Sequence, residues 1–308
     1  MWRVLSVATA CLLTAPWALS QDTKKGDPKQ DPKQPAPPGK LSVSWHGQSF
    51  FSVVSTKGTM FVFDPHAIPE YGRPAEGMRP HLVMISHNHN DHTQVSIFEN
   101  AAEKGDKAPK VIRGLKAGDD GRETWNIVDE KFKDELHVMT VAAYHDEVQG
   151  MKHGKTVLFV VDVDGWRLVH LGDLGHKLSK AQLKALGQVD VLMVPCGGIY
   201  GLNGKEARDV VDQIKPKEFI LPMHIGNRRY DDLLPVDEFI DDNPIRCAVV
   251  RNDVLVYSKS PATNVSWLRE MDKAPYDNTL VLERDAARKG PVIVNLHYWP
   301  QADRKKKK

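Results

Sequence analysis

Apolar residues along this chain come in short blocks separated by turn residues, and the spacing within each block predicts its element. Blocks at 41–45 and 50–55 are rich in branched and aromatic residues at strand length, and an apolar run at 60–63 stops at Asp64-Pro65. Gly47 and Lys57-Gly58 supply turns between them, so the folded part opens as short antiparallel strands. A further run, 81–86, is continuous enough to be a strand buried on both faces. The period then changes: over 93–104, Val95, Ile97, Phe98 and Ala101 recur as one apolar side of a helix.

Segments 110–113, 125–128 and 137–143 read as strands. Runs 156–163 and 166–171 flank Asp164-Gly165, the strongest two-residue hairpin signal in the chain. Helix and strand patterns alternate after that. A helix at 179–186 leads to a buried strand at 189–195. A second helix at 204–214, with Ala207, Val210, Val211 and Ile214 on one side, leads to a strand at 218–222. Strands first and α/β alternation afterwards predict a layered sandwich, sheets inside and helices outside. Past residue 261 only 279–282 and 292–298 read as strands, expected as a hairpin appended to the main body.

The ends have a different character. Arg3 precedes an apolar stretch over 4–19 broken by Pro16, and Ala18-Leu19-Ser20 offers a cleavage site before Gln21. Residues 1–20 therefore read as a signal peptide, whose apolar stretch of about 16 residues is too short for the roughly 20 of a membrane span. The expected location is secreted or periplasmic, with no stable membrane span once the signal is removed. Residues 21–40, with DPKQ twice and recurring prolines, read as a linker, and 304–308 as a basic tail. The expected layout is signal 1–20, linker 21–40, a catalytic domain over 41–260 and a C-terminal extension over 261–308.

Composition narrows the chemistry. The 308 residues are 41% hydrophobic, enough for a sizeable core, and the net charge of +2 argues against a nucleic-acid partner. Three cysteines are too few for a disulfide scaffold or a four-thiolate zinc site. Cys196 and Cys247 remain after signal removal, and whether they pair stays open. No Gly-x-Ser-x-Gly elbow supports a serine hydrolase, and no Gly-Lys-Ser/Thr follows Gly197-Gly198 to make a phosphate loop. Asn264-Val265-Ser266 fits a glycosylation acceptor, relevant only in a eukaryotic secretory route.

The 13 histidines are informative through their placement. Ser86-His87-Asn88-His89-Asn90-Asp91-His92 sets three imidazoles and a carboxylate directly after a buried strand. Such groups repel on protonation and gain little without a divalent metal, which takes both donor types at about 2 Å. In an extended turn His87 and His89 project to one side and can serve one ion, leaving Asp91 and His92 for a second. Asp173 in a Gly-Asp turn and His224 at a strand end stand where site residues are usually displayed.

The His87-x-His89-x-Asp91-His92 motif resembles the hallmark of the metallo-β-lactamase superfamily. Asp64 resembles its early buried aspartate, and His145, Asp173 and His224 are similar, in order, to its later motifs. Trp45-His46-Gly47, Val194-Pro195-Cys196-Gly197-Gly198 and Pro222-Met223-His224 most resemble the branch containing ascorbate-6-phosphate lactonase and uncharacterised metal-dependent hydrolases. The resemblance implies a four-layer αββα sandwich, here with a C-terminal β-rich extension. It implies that His87, His89 and His145 hold one ion, that Asp91, His92 and His224 hold another, and that Asp173 bridges them. Zinc is the first expectation, with manganese or iron as the other candidates.

Two divalent ions would outweigh the two carboxylates and a bridging hydroxide, leaving a positive cleft suited to a small anionic substrate. The expected function is hydrolysis of a lactone, ester or phosphodiester by that hydroxide, with Asp91 and His92 as catalytic residues. The alternatives are a β-lactamase or thioesterase of the same superfamily, or a non-catalytic metal-binding module. Asp64 is expected to orient His87 or His89. His46, His176, Tyr200, Asn227 and Tyr230 are candidates for the pocket, and Cys196 is read as a packed small residue. The oligomeric state is left open.

Overall fold

The computed structural model describes residues 39–71, 75–227 and 230–297; the expected signal peptide, most of the expected linker and the basic residues 304–308 lie outside them. The opening blocks form β1 (Ser42–Trp45), β2 (Phe51–Val54) and β3 (Met60–Phe63), paired antiparallel. Beyond β3, β4 (Leu82–Ile85) and β5 (Lys110–Arg113) add in parallel. A two-stranded ribbon, β6 (Leu115–Ala117) with β7 (Glu123–Trp125), follows. An antiparallel meander then runs through β8 (Asp129–Phe132), β9 (Leu136–Tyr144), β10 (Lys155–Val163) and β11 (Trp166–His170).

From β11 the chain crosses through α1 (Lys180–Leu186) to parallel β12 (Val191–Pro195), and through α2 (Gly204–Ile214) to parallel β13 (Phe219–Met223). Both helices open on capping boxes, Ser179 with Gln182 and Asn203 with Glu206. A short helix α3 (Asp237–Ile240) leads to the hairpin of β14 (Cys247–Arg251) and β15 (Val254–Tyr257), then to α4 (Asn264–Met271), β16 (Thr279–Val281) and β17 (Val292–Val294). The first sheet has the order β16-β1-β2-β3-β4-β5 and the second β15-β14-β17-β13-β12-β11-β10-β9-β8.

Strand alternation decides how the sheets meet. Phe51, Val53, Phe61, Phe63, Leu82 and Met84 of the first sheet share one core with Phe159, Val161 and Leu168 of the second. Phe63 stacks on His170 at 4.8 Å between ring centres and lies 6.1 Å from Phe159. The intervening residues Phe50, Val62, Val83 and Ile85 form a second cluster with Phe98 on the outer side. With its inner face covered in this way, the second sheet takes its crossover helices on the other side. The protein is a layered α/β sandwich.

Three expectations are corrected. Residues 93–104 are no helix: among them only Val95–Ile97 makes a 3₁₀ turn. The Gln94 and Glu99 amides donate outward, to Pro65 O and Met78 O, where a helix would need them four residues back. Val95, Ile97, Phe98 and Ala101 still cover the first sheet, so that outer layer is built from turns. Residues 125–128 are no strand either; β7 ends at Trp125, and the Val128 amide is taken by the Thr140 hydroxyl before β8 begins.

The last two strands are no hairpin. β16 pairs with β1 at the edge of the first sheet, while β17 inserts in parallel between β13 and β14 of the second. Each finds an apolar slot in a different sheet, which an appended hairpin could not offer. Cys196 and Cys247 are both buried free thiols. No helix among the described residues is long and apolar enough to cross a membrane. Because Phe63 is fully buried where the sheets meet, Phe63→Ala is expected to cost about 3–5 kcal/mol. A urea denaturation midpoint against the unaltered chain measures it.

Candidate metal centre

Each predicted donor stands at the C-terminal end of a strand or in the turn just beyond it. Asp64 follows β3, His87 to His92 follow β4, His145 follows β9, Asp173 follows β11 and His224 follows β13. The strand ends come very close together. A Cβ on Gly197 would lie 2.0 Å from His224 O, and one on Gly175 would lie 2.4 Å from His145 O, so only glycine fits at either place.

The donors converge on one carboxylate oxygen. Asp173 Oδ2 lies 3.1 Å from His92 Nε2, 3.1 Å from His224 Nε2, 3.2 Å from His145 Nε2 and 3.7 Å from His87 Nε2. His89 Nδ1 is 3.0 Å from His87 Nε2, and Asp91 Oδ2 is 3.4 Å from His92 Nε2. All seven predicted residues are thus brought together. They divide into His87–His89–His145 and Asp91–His92–His224, each compact enough for one ion, with Asp173 between them. Buried His92 and His145 make no aligned hydrogen bond through either ring nitrogen, so each keeps one nitrogen lone pair available to a cation.

Burial and the crowd of neighbouring imidazoles hold His87 well below the usual histidine range, and His89 is lowered for the same reasons. His92 goes the other way: burial lowers it, but the Asp173 and Asp64 carboxylates outweigh that and raise it. Burial would push Asp173 up, yet His224 and His92 hold it well below the usual carboxylate range.

Asp64 is fully buried, and the ring it touches is that of His92. Its Oδ2 lies 3.0 Å from His92 Nδ1 and accepts the Ser86 hydroxyl at 2.6 Å, while Oδ1 accepts the Ser86 amide. Ser86 Oγ in turn lies 2.9 Å from His87 Nδ1, so Asp64 reaches His87 through a hydroxyl and does not touch His89. His46 is buried against Ser52 and Phe50. His176 is tied to backbone, accepting the Tyr144 amide and facing Lys177 O. Cys196 is buried, and desolvation raises its thiol far beyond nucleophilic use.

Other residues at the centre escaped the sequence reading. The Gln48 side-chain amide donates to Asp91 Oδ2 at 3.0 Å, and its backbone carbonyl accepts the His224 amide. Ser49 Oγ donates to Asp173 Oδ1 at 3.2 Å. His170 Nδ1 accepts the Gly172 amide, so its Nε2–H donates to Ser49 O and pins the β1–β2 turn to the Asp173 turn. Asp146 accepts four backbone amides, from Val148, Gly150, Lys152 and His153, and so shapes the loop after His145.

Comparison with known proteins agrees with this geometry. A family profile described as a beta-lactamase superfamily domain matches residues 42–224. A UPF0173 protein of Pyrococcus abyssi is 31% identical over 189 residues, 60% of this chain and 84% of its own length. A UPF0173 metal-dependent hydrolase of Thermoplasma acidophilum is 26% identical over 60% of this chain and 83% of its own. Among solved structures, a Thermotoga maritima protein assigned to the Zn-dependent hydrolases of the metallo-β-lactamase superfamily aligns with a TM-score of 0.53. It is 24% identical and covers 83% of this chain and 100% of its own. The chain therefore belongs to the beta-lactamase superfamily. Within it, the protein is a metal-dependent hydrolase.

Gln48→Ala is expected to weaken cation binding at the Asp91–His92–His224 group about 10- to 100-fold while sparing the other group. Cobalt(II) titration followed by visible absorption separates the two phases. Burial would raise Asp146, but its four amide donors outweigh that and hold its carboxyl below the ordinary value of 3.8. Its stabilising effect is therefore present above that pH and lost as pH falls through and below it. Asp146→Ala should cost about 1–3 kcal/mol at neutral pH. The gap to the unaltered chain should narrow in acid, as thermal midpoints across pH would show.

Proposed function

We propose that this protein hydrolyses a lactone, ester or phosphodiester with two divalent ions, zinc the first choice, held by the seven converging residues. The observation that carries the reading is Asp173 Oδ2, set 3.1–3.7 Å from four imidazole nitrogens in a buried site. His87, His89 and His145 would hold one ion, Asp91, His92 and His224 the other, and Asp173 would face both. Divalent ions in such a site supply a nucleophile from water near neutral pH and neutralise charge developing on a substrate oxygen.

The protein's own groups do the rest. Asp64 Oδ2 lies 3.0 Å from His92 Nδ1, so Nε2 is the nitrogen left facing inward, and Ser86 Oγ takes Nδ1 of His87 in the same way. Asp91 has a side chain 32% exposed, whereas that of His92 is wholly buried. Of the two, Asp91 is therefore the one a substrate can reach, and His92 acts by holding position. The positive excess of the loaded site favours a small substrate with an anionic or polarisable oxygen. Arg3 and the apolar stretch after it support a secreted or periplasmic location.

Elemental analysis of the full chain should find about two ions, and chelation should abolish hydrolysis of a phosphodiester or lactone in a reversible way. His89→Ala and Asp173→Ala should each reduce turnover by at least a thousandfold while the circular dichroism spectrum stays that of a folded chain. Wild-type turnover by either variant would refute the assignment.

A further inference from the structure

Large exposed apolar side chains are not scattered evenly over the described surface. Of the seven recorded, Met151, Ile199, Tyr200 and Leu234 lie on three loops that leave strand ends at the metal centre. Met151 is on the loop after His145, Ile199 and Tyr200 on the loop after β12, and Leu234 on the loop after His224. Contacts connect these loops to the centre and to each other. The His153 ring lies 5.4 Å from that of His145 and 6.2 Å, edge-on, from Tyr200. The Leu234 amide donates to Gly197 O, and its side chain reaches within 3.3 Å of where a Cβ on Gly198 would be.

The backbone that presents Ile199 and Tyr200 is held in an unusual form. The Tyr200 amide bonds Gly198 O at 2.7 Å around Ile199, whose φ is 63°. A β-branched residue rarely occupies that left-handed region, and a γ-turn of this hand is strained. The turn leaves Ile199 56% and Tyr200 47% exposed, two large side chains in water beside the most polar part of the molecule. Clustered exposure of that kind marks a binding surface, where isolated exposed apolar residues do not.

We propose that Met151, Ile199, Tyr200 and Leu234, beside His153, receive an apolar acyl, alkyl or aryl group of the substrate. This inference rests on the hydrolase reading above and adds the chemistry of the part that does not react. A ligand whose polar end reaches the converging donors must lay its remainder along the loops that border them. Those loops offer aliphatic and aromatic surface continuous, through the His153 ring, with His145. The substrate is therefore amphiphilic: a hydrolysable polar group with a hydrophobic tail.

The test uses straight-chain alkyl hydroxamic acids from two to ten carbons, titrated calorimetrically into the zinc-loaded full chain. A hydroxamate binds zinc without being hydrolysed, so the readout does not depend on turnover. Affinity should rise about two- to fourfold per methylene until the surface is filled. In an Ile199→Ala, Tyr200→Ala double variant with an unaltered thermal midpoint, the ratio of ten-carbon to two-carbon affinity should fall at least tenfold. Affinity independent of length, or a ratio untouched in the variant, overturns the proposal. Absence of binding at every length removes the metal centre, and the proposal with it. If the variant instead loses adsorption to phosphatidylcholine vesicles while the ratio holds, the loops meet a lipid surface and the proposal also falls.

Discussion

Four imidazoles crowd one carboxylate oxygen in a space closed to bulk water, and the surrounding structure is arranged to make that crowding tolerable. Buried ionisable groups are costly unless paired and hydrogen-bonded. Here the pairing is local and two layers deep. Asp173 takes the inner face of the rings, while Asp64, itself fully buried, takes His92 from behind and His87 through Ser86. A centre built this way is held in place from outside. The inward nitrogens need not supply the holding force themselves, and they stay available to cations.

The sandwich makes that arrangement rigid. Because each donor is at a strand end, its position is fixed by a ladder that runs back into a core with both sheet faces covered. His224 has φ 50° and Asp64 φ 44°, strained settings for residues other than glycine, and both are over-determined by hydrogen bonds to neighbouring segments. The β1–β2 turn acts as a cross-brace: Gln48 reaches Asp91 and the His224 backbone, and Ser49 reaches Asp173. Three donors from three different strands are tied to one short turn.

What could be read from the sequence follows from how local each signal was. His87, His89, Asp91 and His92 lie within one turn, so spacing alone exposed their shared chemistry. Asp173 and His224 are lone residues, and only resemblance to a known order of motifs linked them to the turn. Gln48 and Ser49 carried no signal, because their importance lies in a turn crossing to strands far along the chain. The segment 93–104 misled because helical spacing and a turn that lays the same residues on a sheet give one apolar pattern. The Asn252-Asp253 turn of the β14–β15 hairpin, with φ 51° and 63°, repeats the left-handed pair of Asp164 and Gly165, at 50° and 76°. Its signal was present and not read.

The C-terminal strands bear on the site more than their place in the sequence suggests. β17 lies directly beside β13, the strand that ends at His224, and β16 lies beside β1, which leads into the bracing turn of Gln48. The last described segment therefore buttresses both sides of the Asp91–His92–His224 group, while the His87–His89–His145 group leans on strands from the first half of the chain. The side chains of Met151, Ile199, Tyr200 and Leu234 belong to no ladder: they face water, on loops whose backbones are tied down by Asp146, Gly198 O and Gly197 O. Rigid strand ends fix which chemistry the centre can support, and the loops above them are free to decide which molecule it meets.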